Sequence, residues 1–253
     1  MGATRGFGID IGGSGIKGSL VDLGAGELAA DRVRVPTPQP SRPDAVADVV
    51  AEITKSFGWD GAVGVTLPCV MNRGVAHTAA NVDDAWIGTD AQNLFAERLG
   101  RRREDIVVLN DADAAGTAEM TYGAGAGRQG LVVVLTFGTG IGSAMFLDGK
   151  LIPNSELGHL EVDGHDAESR AAASVKDDEK LSWEEWVVRV NRYIHALERA
   201  FWPDLIIAGG GVSKKADKWL PLLDIRTNIV AAKLRNDAGI VGAAAAARAI
   251  EGG

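Results

Sequence analysis

Two glycine-rich turns in the sequence could each hold phosphate oxygens with backbone amides. The first follows Asp10 and comprises Gly12, Gly13, Ser14 and Gly15, and the second follows Thr136 and comprises Gly138, Thr139, Gly140, Ile141 and Gly142. Glycines carry no Cβ, so such turns let N–H groups approach a phosphate closely. We predict that the two turns come from two lobes, face one another across a cleft and hold one polyphosphate.

Asp10 stands at the end of the apolar stretch before the first turn. A carboxylate in this position can hold a metal-bound water beside a phosphate. A tight hairpin with Asp10 as a turn-forming residue is the alternative. The presence of a second, matching turn favours the phosphate site. Lys17 adds a positive charge just beyond the first turn.

Asp111 follows the apolar segment 106–109 directly. Two interpretations are open from the residues alone, because Asp is a favoured helix N-cap and because ligands bind at the ends of buried strands in α/β sheets. Phosphoryl transfer to an alcohol needs a group that accepts the hydroxyl proton, and a carboxylate suffices. The neighbouring Asn110 could fix the hydroxyl. Asp113 is expected to be structural.

Glu156 and His159 lie three positions apart in the segment Glu156-Leu157-Gly158-His159. Both side chains can project to one side and hydrogen-bond sugar hydroxyls, whereas the alternative is a capped turn with a satisfied histidine. Glu168 is a further acceptor on the same segment. Metal binding is not expected here, since His159 and His165 have no cysteine partners.

These residues must be positioned by an α/β fold, because apolar stretches of strand length alternate with segments of helical spacing. Each glycine turn is flanked by apolar stretches and therefore predicts a hairpin. At an offset of 126 residues Asp10 corresponds to Thr136 and Gly12 to Gly138. We infer two related lobes, with coincidence in a glycine-rich chain as the alternative. Further predicted elements are helices at 45–57, 111–120, 182–201 and 240–249, and strands at 62–67, 106–109 and 205–208. Ser182 and Glu185 predict a capping box at the start of the third of these helices.

Composition excludes several classes of protein. The chain has 253 residues, a net charge of −8 and one cysteine, Cys69. Neither an internal disulfide nor a multi-cysteine zinc site is possible, and a general nucleic-acid binder is not expected. The chain has no signal core and no membrane-spanning run, so we expect a cytoplasmic protein. The spacing of Gly125, Gly127 and Gly130 matches a dinucleotide motif, but it precedes a strand instead of following one.

Five segments occur in the order found in the ROK family of sugar kinases and repressors, within the actin-like ATPase superfamily. They are FGIDIGGSGIKG, LNDADAAG, LTFGTGIGSA, ELGH and IIAGGGVS. The resemblance implies an α/β fold of two actin-like (ribonuclease H-like) lobes with an interdomain active-site cleft. The implied small lobe is 1–109 with the C-terminal helix at about 240–253, and the larger lobe is 110–239.

The resemblance also implies roles for individual residues. It makes Asp111 the catalytic base and Asp10 the residue that places Mg²⁺ by way of a water. The sugar contacts that it implies are Asn81, Asn110, Glu156, His159 and Glu168. The implied donor site comprises Asp10, Gly12, Gly13, Ser14, Gly15, Lys17, Thr136, Gly138, Thr139, Gly140, Gly209, Gly210 and Gly211.

Two departures from the ROK pattern narrow the resemblance. The cysteine cluster that usually follows the ELGH histidine is missing, so no structural zinc is expected. No DNA-binding helices precede Phe7, so no nucleic-acid partner is expected. This short form is similar to the polyphosphate glucokinase subgroup, which implies glucose as acceptor, inorganic polyphosphate and ATP as donors, and a homodimer. Arg101, Arg102, Arg103, Lys214, Lys215 and Lys218 are possible polyphosphate contacts, with solvated surface charge as the alternative.

Three other functions remain open from the sequence. An ATP-dependent hexokinase acting on glucose or mannose is the nearest. A non-catalytic sugar sensor akin to the ROK repressors is the second, although the chain retains Asp111. A carboxylate-pair hydrolase is the third, and it would leave the paired glycine turns unexplained.

Overall fold

The computed structural model of the chain describes residues 5–251, with the side chains of residues 5–249. Strands and helices alternate along it. The strands are β1 (Arg5–Gly12), β2 (Gly15–Asp22), β3 (Glu27–Leu28), β4 (Val33–Val35), β5 (Val63–Leu67), β6 (Met71–Asn72), β7 (Val75–Ala76), β8 (Ile106–Asn110), β9 (Leu131–Phe137), β10 (Ile141–Leu147), β11 (Lys150–Ile152), β12 (Glu161–Val162), β13 (His165–Asp166), β14 (Leu205–Gly210) and β15 (Asn228–Ala231). The helices are α1 (Pro43–Ser56), α2 (Ala91–Leu99), α3 (Asp111–Tyr122), α4 (Glu168–Ala171), α5 (Ala173–Asp178), α6 (Trp183–Phe201), α7 (Ala216–Trp219) and α8 (Ala238–Glu251).

The described residues form two compact units. The first comprises the residues up to Ala118 and those from Asp237 on, and the second comprises Glu119–Asn236. The change from one unit to the other falls within α3. The lobe limits of 1–109 and 110–239 remain a prediction, and positions 252 and 253 of the predicted C-terminal helix lie outside the described residues.

The first unit is built on a sheet in the order β3-β2-β1-β5-β8, with β4 also paired to β2. Strands β1 and β2 form an antiparallel hairpin, whereas β5 and β8 run parallel to β1. Helix α8 lies directly on this sheet because two strand positions are glycine. A Cβ on Gly8 would stand 1.9 Å from the carbonyl oxygen of Ile240, and one on Gly64 would stand 1.9 Å from that of Ala243.

The second unit is built on a sheet in the order β11-β10-β9-β14-β15. Its first hairpin, β9–β10, is antiparallel, and β14 and β15 run parallel to β9. The core contains Phe137, Trp186 and Trp219, whose rings meet edge to face. Helix α6 supplies Trp186 and begins with the predicted capping box of Ser182 and Glu185.

Within the described residues, no helix combines the length and the apolar character that a membrane span requires.

Candidate active site

The first glycine turn connects β1 and β2 with Gly13 and Ser14 at its tip, since Gly12 pairs with Gly15. The same register places Asp10 opposite Lys17, and the Lys17 Nζ lies 3.1 Å from the Asp10 Oδ2. The hydroxyl of Thr66, on the neighbouring strand β5, donates to the Asp10 Oδ1 at 3.0 Å. Both oxygens of this carboxylate are therefore oriented. Sequence reasoning missed Thr66, whose signal is a polar residue in an otherwise apolar strand.

Side chains from the following segment hold the carbonyl groups of the first turn. Thr37 donates to the Gly12 oxygen, Gln39 to the Gly13 oxygen at 3.4 Å and Arg34 to the Ser14 oxygen at 3.0 Å. Three consecutive carbonyls are thus fixed in direction. Sequence reasoning missed all three donors, because no local pattern indicates that a residue will contact a turn 20 or more positions earlier in the chain.

Asn81 lies against the first turn. A Cβ on Gly13 would stand 3.0 Å from the Asn81 carbonyl oxygen. Asn81 itself adopts a left-handed backbone conformation with φ of 61°, which Asn tolerates better than most residues do. The predicted sugar contact and the predicted phosphate turn are therefore neighbours in the first unit.

Asn110 ends β8 and caps helix α3. Its Oδ1 accepts the N–H groups of Ala112 at 2.8 Å and Asp113 at 3.2 Å, and its Nδ2 donates to the Cys69 oxygen at 3.1 Å. The Asn110 side chain was expected to fix a sugar hydroxyl, but its Oδ1 already accepts two hydrogen bonds from the start of the helix. Since Asn110 performs the capping, the alternative interpretation of Asp111 as the N-cap is wrong.

Asp111 is the first residue of α3 and is half-buried. Its Oδ1 accepts the N–H of Ala112 at 2.9 Å. Asp10 is in register with Thr66 on β5, and Leu67 is in register with Asn110 on β8. These parallel strands end at one edge of the sheet. Because Thr66 is in register with Leu109, the Asp10 backbone lies two strand spacings, about 10 Å, from that of Leu109, two residues before Asp111. The two predicted carboxylates of the reaction stand at the same edge of the first unit.

The second glycine turn has three residues at its tip, because Phe137 pairs with Ile141. Ser174 of α5 supports it twice. The Ser174 N–H donates to the Gly138 oxygen at 3.0 Å, and the Ser174 hydroxyl donates to the Thr139 oxygen at 2.7 Å. Strand β14 ends beside this turn with Gly209 opposite Thr136 and Gly210 opposite Phe137. Both predicted glycine groups of the second unit therefore meet at one sheet edge.

Glu168 connects the second turn to the segment Glu156–His159. Its Oε2 accepts the N–H of Ile141 at 3.0 Å, and its Oε1 lies 3.9 Å from the His159 Nδ1. The carboxylate that was expected to contact sugar therefore also supports the backbone of a predicted phosphate turn.

The Glu156–His159 segment is anchored to β10. The Ser143 hydroxyl donates to the Ser155 oxygen, and its oxygen accepts the N–H of Leu157 at 2.9 Å. Gly158 packs so closely on β10 that a Cβ there would stand 2.2 Å from the Ile141 carbonyl oxygen. A glycine is therefore required between Glu156 and His159 for steric reasons.

The electrostatics of this segment shift two pKa values upward. Burial raises the pKa of the Glu156 carboxyl, and nearby Glu168 raises it further, while His159 opposes the shift. The hydrogen bond to Asp166, at 3.2 Å from the His159 Nδ1, raises the pKa of His159 against the effect of burial. Sequence reasoning did not name Asp166, although it lies in the same charged segment.

The arginines proposed as polyphosphate contacts already form hydrogen bonds or ion pairs within the chain. Arg101 donates to the carbonyls of Trp59 and Gly61, Arg102 pairs with Asp105 at 2.7 Å, and Arg103 pairs with Asp90 at 3.2 Å. These three residues therefore have partners within the chain, and the alternative of surface charge fits them better than a polyphosphate track does. Lys214, Lys215 and Lys218 are exposed just beyond the glycines at the end of β14.

In the part of the chain that the structure describes, no three His, Cys, Asp or Glu side chains are arranged to hold a metal ion.

The sequence model of the ROK family matches residues 6–173, about two thirds of the chain. The chain belongs to the ROK family. This ROK protein is 58% identical to the polyphosphate glucokinase of Mycobacterium leprae (strain TN) over 245 residues, which cover 97% of this chain and 75% of the relative. It is 57% identical to the polyphosphate glucokinase of Mycobacterium tuberculosis (strain H37Rv), over 96% of this chain and 91% of the relative.

Solved ROK structures share its fold. The inorganic polyphosphate/ATP-glucomannokinase of Arthrobacter sp. strain KM is 52% identical, with a TM-score of 0.91 over 97% of this chain and 99% of that one. The ROK glucokinase of Streptomyces griseus, solved with glucose and AMPPNP, is 23% identical with a TM-score of 0.80 over 97% of this chain and all of that one. The predictions of ROK membership and of an actin-like α/β fold are confirmed.

Proposed function

We propose that this ROK protein phosphorylates glucose to glucose 6-phosphate, with inorganic polyphosphate and ATP as phosphoryl donors. The observation that carries the proposal is identity above one half, over nearly the whole chain, to proteins that bear the name polyphosphate glucokinase. The site geometry supports it, because each unit presents a glycine turn beside polar side chains of the types that phosphoryl transfer requires.

Asp111 is the proposed catalytic base. It stands at the carboxyl end of β8, and the capping of α3 by Asn110 leaves the helix start intact without it. As the glucose 6-hydroxyl oxygen attacks the terminal phosphorus, Asp111 accepts the hydroxyl proton. The phosphorus–oxygen bond to the rest of the donor breaks, and the shortened donor leaves with the electron pair.

Glucose is held, in this proposal, by Asn81 and Asn110 of the first unit and by Glu156, His159 and Glu168 of the second. Carboxylate, amide and imidazole groups supply both donors and acceptors for sugar hydroxyls. The raised pKa of His159 keeps its ring charged further into the neutral range, so both ring nitrogens donate there.

The donor phosphates are held by N–H groups of both turns, together with Lys17, Thr136 and the three glycines Gly209, Gly210 and Gly211. The N–H groups of Gly138 and Ile141 already donate to the Gly140 oxygen and to Glu168, so the second turn binds the donor through its other residues. These groups stabilise the negative charge on the transferred phosphoryl group. Lys17 brings a full positive charge that is already positioned by Asp10.

We also propose Mg²⁺ as the cofactor, with Asp10 as its protein partner. The residues fit this ion, because Mg²⁺ keeps several waters and uses one or two carboxylates besides substrate phosphates. Asp10 is such a carboxylate, and Thr66 and Lys17 fix the direction of its oxygens. When bound there, Mg²⁺ would neutralise charge on the donor oxygens.

The decisive experiment measures glucose 6-phosphate formation with polyphosphate as the sole donor, freed of nucleotide, and in parallel with ATP. We expect product with both donors and a steeper loss of polyphosphate affinity as salt rises. Product with ATP alone would make the protein an ATP-dependent hexokinase, and product with neither donor would favour a sugar sensor.

A second acceptor, mannose, is favoured by one observation. The glucomannokinase that is 52% identical carries both sugars in its name. The same assay with mannose tests it, since mannose differs from glucose only at the 2-hydroxyl. The predictions of a homodimer and of a cytoplasmic location also stand as proposals, and light scattering of the purified protein tests the first.

A further inference from the structure

A cavity of about 300 Å³ in the second unit is lined by side chains that the proposed reaction does not use. Its wall includes Asp163, His165, Arg170, Arg189, Arg192 and Tyr193. These residues come from the β12–β13 hairpin, from α4 and from one face of α6.

The cavity wall is positively charged. Three arginines stand against one carboxylate, Asp163, which pairs with Arg192 at 3.2 Å. Glu179, from outside the wall, pairs with Arg189 at 2.6 Å. The three arginines therefore exceed these two carboxylates by one charge. Glu168 and Glu185 are two further carboxylates that act electrostatically on Tyr193 and Arg189.

Two buried donors on this wall have no acceptor among the described residues. The Tyr193 hydroxyl is buried, with its side chain 1% exposed, and the Arg189 Nη1 is buried as well. Buried polar groups nearly always have a hydrogen-bond partner, and an exception calls for an explanation. A ligand with several acceptor oxygens would satisfy both.

We propose that this cavity binds a phosphate group, either inorganic or carried by a small organic molecule. A phosphate offers several acceptor oxygens and up to two negative charges, which matches guanidinium forks and a phenol hydroxyl. The volume exceeds that of a single phosphate, so a phosphate monoester or a short polyphosphate also fits. The Arg170 Nη2 lies 3.0 Å from the His165 Nε2. A phosphate bound by Arg170 would therefore lie beside the His165 ring.

The chain contains its own local reporters for a binding test. It has four histidines, of which His165 lines the cavity and His159 belongs to the proposed active site. The ring C–H signals of the full-length protein are followed by NMR and assigned with the His165→Gln and His159→Gln variants. Inorganic phosphate, glucose 6-phosphate and tripolyphosphate are titrated separately. We expect saturable shifts of the His165 signal, and the tightest probe identifies the source of the phosphate.

Three variants on α6 test which groups bind. Arg189→Met removes a buried donor and its charge, and we expect an approximately tenfold weaker Kd from the His165 signal. Tyr193→Phe removes only one oxygen and leaves the packing intact, with an expected weakening of about threefold. Arg199→Met on the same helix, outside the cavity, should leave the Kd unchanged.

The proposal is overturned if no probe shifts the His165 signal saturably up to about 20 mM. It is equally overturned if Arg189→Met and Tyr193→Phe bind as the unaltered protein does. Neither result depends on catalysis, because the His159 signal and product formation report separately on the proposed kinase site.

Discussion

The two sheets have the same strand order but carry different chemistry at their glycine turns. Each has three consecutive antiparallel strands followed by two parallel ones, in the orders β3-β2-β1-β5-β8 and β11-β10-β9-β14-β15, and the first sheet also has β4 beside β2. The first turn stands beside an ion pair of Asp10 and Lys17, whereas in the second unit Thr136, which corresponds to Asp10, is paired across the hairpin with Gly142. The second turn also has one more residue at its tip.

The two units are built on equivalent sheets, and the difference at their turns predicts different roles in the proposed reaction. In the first unit, charged side chains stand at the sheet edge and the turn carbonyls are held by side chains from β4 and the segment after it. In the second, the turn is uncharged, and Ser174 and Glu168 hold its backbone. In the proposed reaction, the first unit supplies Asp10, Lys17 and the base Asp111, whereas the second supplies three of the five sugar contacts, and both supply turn amides.

Asp111→Asn tests this division most severely. The substitution keeps the shape and the acceptor for the Ala112 N–H, but it removes the base. We expect kcat with glucose to fall about a thousandfold. The KM for glucose and the melting temperature should hardly change. Turnover above a tenth of the normal value would show that proton transfer does not reside in the first unit.

Gly158→Ala tests whether the Glu156–His159 segment of the second unit must pack closely against the backbone of β10. The new methyl would stand 2.2 Å from the Ile141 oxygen, so we expect a loss of about 1–3 kcal/mol in the free energy of unfolding. Gly138→Ala is the matched control, because a Cβ there meets nothing within 4 Å. Chemical denaturation measures both. Equal stability of the two variants would contradict the close packing of this segment on β10.

The elements of the fold were largely predictable from local patterns. Apolar segments of four to seven residues became β5, β8 and β9, and the capping box at Ser182 correctly set the start of α6. Such features depend on residues close together in sequence. The second carboxylate-bearing segment, Glu156–His159, was found for the same reason.

The partners that orient the site were not predictable in this way. Thr66 reaches Asp10 across 56 positions, and Ser174 reaches Thr139 across 35. A single serine or threonine carries no periodic signal, and the register between parallel strands is set only when the sheet forms. The role of Asn110 as a cap was missed because Asp111 is an equally good capping residue by type.

Lys17→Met tests whether the positive charge of Lys17 contributes to binding of the phosphoryl donor. The substitution retains an unbranched side chain as far as the ε position and removes the ammonium group that lies 3.1 Å from Asp10. We expect the KM for polyphosphate to rise about tenfold, with a weaker dependence on salt. Lys55→Met, on an exposed position of α1, serves as the control. Steady-state kinetics at several salt concentrations give the answer, and equal salt slopes for both variants would assign the donor charge elsewhere.

Asp166→Asn tests the charged pair that His159 forms at the end of the Glu156–His159 segment. The hydrogen bond to Asp166 raises the pKa of His159 above its ordinary value of 6.5. The pair's contribution to stability is therefore fully present below pH 6.5 and is lost as pH rises through the raised pKa. Since both side chains are more than half exposed, we expect the variant to lose less than about 1 kcal/mol, and only at the lower pH.

Asp163→Asn is the matched control for this pH dependence. Asp163 pairs with Arg192 at the same distance of 3.2 Å, but its partner remains charged throughout the range. Urea unfolding at pH 6 and pH 9 should therefore give a pH-dependent difference for Asp166→Asn and a constant one for Asp163→Asn. If both differences were constant, His159 would not be the titrating partner, and the Glu156–His159 segment would be held through Ser143, Gly158 and Glu168 alone.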